Sequence, residues 1–410
     1  MMILDDIRLR RRAFLSSLGA AALTTMAPRA VLADAPTDKR FVLIVLRGAM
    51  DGLSVVAPYG DRDYARLRGE IAIAKPGEAD GAIDLDGFFG LHPALDPVAS
   101  WYREGGLLPV HAVASPYRDR SHFDGQDMLE NGMLSPHASE SGWLNRAIAA
   151  MGGDTRRIGL AVGQTIPLVL RGPTEVASWA PTKLPAADDS FLALVQTIYQ
   201  GDRLLSSALA GGIAANRTAD HAMGGDPQAM DGGMNGAAAN KGQRILAEAA
   251  GKMLADPAGP RIAVFDTYGW DTHAGQGAAK GRLAGALTGL AASLTALREA
   301  LGPVWKDTIV VMATEFGRTA HVNGDGGTDH GTGGAMLLAG GAVAGGRVLT
   351  RWPGLGERAL YQNRDLTPTT DLRAVLKTVL RNHLRVPPDR LESVVFPDSA
   401  DARPIAGITA

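Results

Sequence analysis

Six short apolar runs, many of their residues β-branched, punctuate the chain at Phe41–Leu46, Leu107–Ala114, Ile158–Val162, Arg261–Phe265, Thr308–Ala313 and Ala335–Ala339. Runs of this length without polar alternation predict buried strands of a largely parallel sheet. Between them the period changes. Leu283, Leu287, Leu290, Leu294, Leu297 and Leu301 recur at alternating spacings of four and three, which predicts a long helix over Lys280–Leu301 with one apolar face to lay on a sheet. Phe191, Leu194, Val195 and Ile198 mark a second helix within Asp189–Leu205. Leu372, Val375, Leu376, Val379 and Leu380 mark a third, from about Thr370 to His383. Strands alternating with helices predict a layered α/β fold. Residues 206–242 lack this order. They are rich in Gly, Ala, Asn and Met and read as a surface insertion or mobile loop inside a single domain spanning 34–410, because sheet-like segments continue on both sides.

The first 33 residues follow different rules. Arg8, Arg10, Arg11 and Arg12 form a basic start, a modest apolar stretch runs from Leu18 to Met26, and Val31-Leu32-Ala33 suits a signal peptidase, leaving Asp34 as the new N-terminus. Arg11-Arg12-Ala13-Phe14-Leu15 resembles the twin-arginine pattern, although Arg10 and Ser16 depart from its usual flanks. The weak apolar core, interrupted by Gly19, Thr24 and Thr25, favours that route over general secretion. Residues 1–33 are therefore expected to be a twin-arginine-type signal peptide, with the export machinery as a partner and the periplasm or exterior as destination. A basic amphipathic helix that stays attached is the alternative. No later apolar run approaches the roughly 18 residues that span a bilayer, so no stable membrane span is expected after processing.

Composition narrows the chemistry. The 410 residues are 46% hydrophobic and 20% charged, an ordinary globular balance. Without residues 1–33, Lys+Arg falls from 41 to 36 and Asp+Glu from 43 to 41, a net charge of −5 that gives no electrostatic case for nucleic acid. The absence of cysteine excludes thiolate metal sites, iron–sulfur clusters, cysteine nucleophiles and haem attached through Cys-x-x-Cys-His. No dinucleotide glycine pattern opens a helix after the first strand, which leaves a redox role poorly supported.

Ligands of open parallel sheets bind beyond the carboxyl ends of the strands. There the chain places Asp51, the run Arg120-Ser121-His122-Phe123-Asp124, the run Asp271-Thr272-His273, and Glu315-Phe316-Gly317-Arg318. Asp329-His330 stands just before the last of the six runs. Three of the nine histidines, His122, His273 and His330, thus lie close to an acid near one expected edge. Carboxylates and neutral imidazoles are the ligands that hold divalent ions when thiolates are missing, and so much negative charge at one edge needs a cation. One or two divalent ions, Ca, Mg, Mn or Zn, are expected there. Singly the pieces have other readings: Asp51 before Gly52 as a turn residue, Asp271 and His273 as a capped helix start. His111 reads as a satisfied core residue within a strand.

Longer motifs carry a resemblance. Arg47-Gly48-Ala49-Met50-Asp51-Gly52-Leu53, Arg120-Ser121-His122-Phe123-Asp124-Gly125-Gln126-Asp127, Ser141-Gly142-Trp143-Leu144-Asn145-Arg146, Gly269-Trp270-Asp271-Thr272-His273, Thr314-Glu315-Phe316-Gly317-Arg318-Thr319 and Gly327-Thr328-Asp329-His330-Gly331 occur in order. Over Phe41 to Phe396 the chain resembles the exported family called domain of unknown function 1501, grouped with the alkaline-phosphatase-like phosphatases and sulfatases. The resemblance implies a doubly wound, mostly parallel α/β sheet with helices on both faces, commonly two divalent cations, and a nucleophile at a helix start. It implies metal ligands at Asp51, Asp271, His273, Glu315, Asp329 and His330, and a nucleophile at Ser121. Where many superfamily members have Asp-His-Gly this chain has Glu315-Phe316-Gly317, and Asp271 and His273 are separated by one residue where three are usual. The lost histidine implies one ion or an oxygen-richer site, leaning toward Ca, Mg or Mn. The function so implied is an exported metal-dependent hydrolase of phosphate or sulfate esters, with His122 as general acid or supporting partner and Arg120 or Arg318 holding the anion. The alternative is a non-catalytic envelope protein that retains the fold and part of the metal site and binds a polysaccharide or a partner protein.

Overall fold

The computed structural model describes residues 37–410 except 154, 156–157, 182–188, 203–204, 207–208, 211 and 214–235. The expected signal peptide and most of the 206–242 insertion therefore lie outside the described residues. The strands in chain order are β1 (Arg40–Leu46), β2 (Val56–Ala57), β3 (Ile83–Asp84), β4 (Gly90–Leu91), β5 (Leu107–Ala114), β6 (Gly159–Val162), β7 (Ala177–Trp179), β8 (Ile262–Thr267), β9 (Thr308–Ala313), β10 (Gly334–Ala339) and β11 (Thr370–Asp371). Eight of them make one sheet in the order β11-β5-β10-β9-β1-β8-β6-β7, while β2, β4 and β3 make a small antiparallel one.

Every residue of β1 is buried, and the strand divides between two cores. Val42, Ile44 and Leu46 belong to one, Phe41, Leu43 and Val45 to the other. A strand covered on both faces has no solvent side to make polar, hence the unbroken apolar run. The first core is closed by helices α1 (Asp96–Arg103), α5 (Gly236–Ala255) and α6 (Arg282–Leu301), and the second by α3 (Trp143–Met151) and α7 (Leu372–Asn382). Between these elements lie α2 (His122–Asn131), directly after β5, and α4 (Asp189–Tyr199). The molecule is thus an α/β protein, its mostly parallel sheet covered by helices on both faces. Among the described residues no helix is long and apolar enough to cross a membrane.

One strand runs against the rest. β10 is antiparallel to both neighbours, β5 and β9, whereas the other adjacent pairs in the large sheet are parallel. The residues before β10 therefore arrive at the edge that the residues after β1, β5, β8 and β9 leave. This reversal brings Asp329 and His330 to the other acid–histidine segments.

Candidate metal centre

Hydrogen bonds lock the segments after β8 and β9 and the approach to β10 together at that edge, and tie the segment after β1 to them. After β8, Trp270 is fully buried and its indole N–H donates to Thr267 Oγ1 (3.0 Å), fixing the turn into Asp271, Thr272 and His273. After β9, the chain pairs with the approach to β10: Gly317 N–H donates to Thr332 O (3.0 Å), Gly331 N–H to Gly317 O (2.8 Å) and Thr319 N–H to Asp329 O (2.9 Å). The Thr328 N–H reaches Thr272 O (3.1 Å) and ties that ribbon to the Asp271 loop. Gly48, following β1, has φ +124°, and a Cβ there would lie 2.7 Å from Asp271 N. Only glycine permits both that backbone and that approach. Its N–H donates to Glu315 Oε1 (2.9 Å).

Ligand atoms of His122, Asp271 and His330 all lie within 4.8 Å of one another. Each nearby imidazole is turned by a partner behind it. Nδ1 of His122 is 2.7 Å from Glu315 Oε1, Nδ1 of His273 is 3.2 Å from Asp329 Oδ1, and Nδ1 of His330 is 2.8 Å from Arg120 O. With the protons placed on the three Nδ1 atoms that face these acceptors, each Nε2 keeps a lone pair. Those Nε2 atoms gather on the Asp271 carboxylate at 3.6 Å (His122), 3.1 Å (His273) and 3.6 Å (His330). His273 Nε2 and His330 Nε2 face each other at 2.9 Å, and His122 Nε2 is buried with no hydrogen-bond partner among the described residues.

Charges follow the same geometry. The hydrogen bond to Glu315 raises His122 above the ordinary imidazole value against the opposing effect of burial, whereas burial lowers His330. Burial works upward on Glu315, yet its hydrogen bonds, that of His122 foremost, leave it below the usual carboxylate range. Burial likewise works upward on Asp271 and is outweighed by Arg318, with His273 and His122 adding to the effect. Arg318 is 1% exposed, donates from Nη1 to Asp271 Oδ1 (2.7 Å), and its buried Nη2 has no hydrogen-bond partner among the described residues.

Of the residues singled out in the sequence, His122, Asp271, His273 and His330 converge. Glu315, Asp329 and Arg318 stand immediately behind them. Arg120 turns its guanidinium to the buried Asp365 (2.7 and 3.0 Å) and meets the cluster through its carbonyl, with a backbone φ of +62°. Ser121 caps α2 without a side-chain cap bond, and its N–H donates to Tyr117 Oη (3.0 Å). Asp51 lies outside the cluster. It accepts from Leu53 N–H (3.2 Å), Ser54 Oγ (3.0 Å) and Gln276 Nε2 (2.6 Å), and it is ion-paired to the fully buried Arg68. The Phe316 ring packs on His122 and His330, with centroids 5.1 and 5.2 Å away. Arg68, Gln126, Gln276, Thr328 and Asp365 were given no role from the sequence, although Gln126 and Thr328 lie within its motifs. Gln126 donates to Glu315 Oε1 (3.1 Å) and is itself held by Arg47 (3.0 Å), which is ion-paired to Glu130 and Asp266.

Residues 97–395 match the family described as protein of unknown function (DUF1501). No curated protein matches the chain. Among solved structures, the phosphonate monoester hydrolase of Agrobacterium radiobacter is 11% identical at a TM-score of 0.38, over 86% of this chain and 74% of that one. Ps i-CgsB in complex with k-i-k-neocarrahexaose is 12% identical at a TM-score of 0.32, over 73% of this chain and 66% of that one. Superpositions this loose say nothing of this chain's chemistry.

Proposed function

The chain belongs to the family of proteins of unknown function DUF1501, and from that premise we propose that it is a metal-dependent hydrolase of phosphate or sulfate esters. Its ion would be single and held by His122, Asp271 and His330, with His273 beside them. The observation that carries this reading is the meeting of three imidazole Nε2 atoms on one carboxylate, with every Nδ1 already committed to an acceptor. Two lone pairs facing at 2.9 Å, as on His273 and His330, repel unless a proton or a cation lies between them. Burial of His122 Nε2 without a hydrogen-bond partner among the described residues is also costly, because the atom loses water and gains nothing in return. A carboxylate or carbonyl behind each imidazole is the usual support of a ligating histidine. The donor set is rich in nitrogen, which suits zinc better than the oxygen-loving ions expected from the loss of histidine at position 316.

A bound cation would supply charge neutralisation on the ester's oxygens and lower the pKa of a hydroxyl beside it. The chain's own residues do the rest. Arg318 keeps Asp271 ionised. Glu315 and Asp329 orient His122 and His273, and the Arg120 carbonyl orients His330. Asp51, committed to Arg68, braces the fold beneath the centre. Ser121 is assigned as the nucleophile, its hydroxyl uncommitted to the cap of α2. The test is hydrolysis of p-nitrophenyl phosphate and p-nitrophenyl sulfate by metal-loaded protein, with Ser121→Ala as the variant. Turnover that disappears in the variant while metal content is retained supports the assignment, and unchanged turnover removes Ser121 from it.

The second reading, a non-catalytic envelope binding or assembly protein, is favoured by Phe316, whose ring packs on two of the imidazoles where superfamily members commonly have histidine. Metal binding without turnover on either ester would favour it. Export through the twin-arginine route is part of both readings. N-terminal sequencing of the mature protein tests it, with Asp34 as the expected first residue.

A further inference from the structure

Beside the metal centre runs a buried chain of hydrogen bonds whose direction follows from the chemistry of its first member. Asp51 is 1% exposed and, as a carboxylate, only accepts. Gln276 is fully buried and must turn its amide nitrogen to Asp51: Nε2 lies 2.6 Å from Asp51 Oδ2 and 3.1 Å from Ser54 Oγ. Its Oε1 then faces the hydroxyls of Thr272 and Thr328, both at 2.8 Å, and both donate to it. A hydroxyl that has given away its one hydrogen can only accept. Thr328 Oγ1 therefore takes the Nε–H of Arg318 (3.2 Å), and Arg318 Nη1 donates to Asp271 Oδ1 (2.7 Å). At the far end Arg68 neutralises Asp51 and donates to Thr319 O (3.1 Å), which keeps the anchor from moving.

We propose that Gln276 is a positioning residue of the metal centre: its amide, oriented by Asp51, fixes Arg318 through Thr328 and so holds Asp271 where its oxygens meet the imidazole Nε2 atoms. A reversed amide would set Oε1 against a carboxylate and present N–H groups to two hydroxyls, so every later bond would have to reverse or break. A buried glutamine serving only the fold needs partners but no destination for them. These bonds end on the one carboxylate of the proposed donor set. The proposal rests on the metal-centre reading of the previous section.

The test is Zn2+ affinity of the full chain, measured by competition with a chromophoric chelator. Thr328→Val removes the relay's last hydroxyl and Thr328→Ser restores it. Ser54→Ala breaks a bond to the same amide on the side away from Arg318. Gln276→Met and Thr328→Val are expected to weaken Zn2+ binding by about 10–100-fold, the usual range for groups behind a ligand. Their combination is expected to weaken it no further than the worse single change, since both cut one path. Thr328→Ser is expected to bind like wild type, and Ser54→Ala to lose stability while keeping its affinity. If Gln276→Met fails to fold, the Thr328 series carries the test. Wild-type affinity in Thr328→Val, or an equal loss in Ser54→Ala, overturns the proposal while leaving the metal centre intact. Absence of Zn2+ binding by the wild-type chain overturns both.

Discussion

Replacing Glu315 by glutamine separates what that residue does for the fold from what it does for the centre. Oε1 accepts from Gly48 N–H, Gln126 Nε2 and His122 Nδ1, and Oε2 lies 2.9 Å from Thr314 Oγ1. The Thr314 hydroxyl also lies 2.8 Å from Leu46 O and accepts from Met50 N–H (3.0 Å). Its single hydrogen cannot serve both Leu46 and Glu315. In Glu315→Gln the new NH2 takes the Oε2 position and donates to Thr314 Oγ1, whose hydrogen turns to Leu46. No buried group is left without a partner. Three bonds at Oε1 lose charge assistance, worth about 1 kcal/mol each, and the relief of burying a carboxylate, a few kcal/mol, offsets most of that loss. The metal-free variant should therefore unfold within about 1 kcal/mol of wild type. The ion feels more. With an amide behind His122 the imidazole is a poorer donor, and Zn2+ affinity should fall about 10–100-fold, or about 1.4–2.7 kcal/mol. Urea denaturation of chelator-treated protein and chelator competition with Zn2+ measure the two quantities separately. Zn2+ affinity within a factor of about two of wild type would refute the carboxylate–histidine role. A stability loss above about 3 kcal/mol would instead make Glu315 an anchor of the fold.

Two further outcomes follow from buried groups away from the centre. His111 donates from Nε2 to Val56 O (2.9 Å) and accepts at Nδ1 from Ala112 N–H (2.8 Å), while His383 Nε2 donates to Arg40 O (2.8 Å), and burial lowers both to about 4. Because the unfolded chain takes up these protons near the ordinary value, stability is full above about pH 6.5 and is lost as pH falls toward about 4, by about 3 kcal/mol per histidine. Denaturation of chelator-treated protein across that window should show the loss, and His383→Gln should remove that histidine's share of the slope. An unchanged slope would contradict the buried neutral ring. Arg68→Met should cost about 3–5 kcal/mol by stranding Asp51 as a buried charge, and adding Asp51→Asn should recover part of it, as read in a double-mutant denaturation cycle. A single-variant loss below about 1 kcal/mol would show that the pair is not buried as described.

What was legible in the sequence depended on whether a residue's role left a local pattern. β1, β5, β9 and α6 were readable because burial on two faces, or on one helical stripe, writes itself as an apolar run or a period. β7 and β11, three and two residues long, are too short for any period, and Thr370 and Asp371 instead looked like the start of α7. α5 was missed because it buries Ala247, Ala249 and Ala250 beside Ile245, Met253 and Leu254, and alanine gives little contrast against a glycine-rich approach. At the centre, His122, Asp271, His273 and His330 were found as acids and histidines at strand ends. Gln276 and Thr328 were not, because a neutral polar residue acquires its role only from what the fold sets against it. Arg68 went unread for a similar reason, as nothing near it in sequence announces its pairing with Asp51. The reversal of β10 was also invisible, though it alone explains how a segment before a strand joins segments that follow strands.

The most direct test of the metal centre is elemental analysis of the folded chain, paired with its unfolding temperature before and after chelation. One equivalent of a divalent transition ion, and a drop in unfolding temperature on chelation that added Zn2+ reverses, is the predicted result, since an ion that binds only the folded state stabilises it. No retained ion and no response to added Zn2+ would contradict the centre, and two tightly held equivalents would contradict its single site.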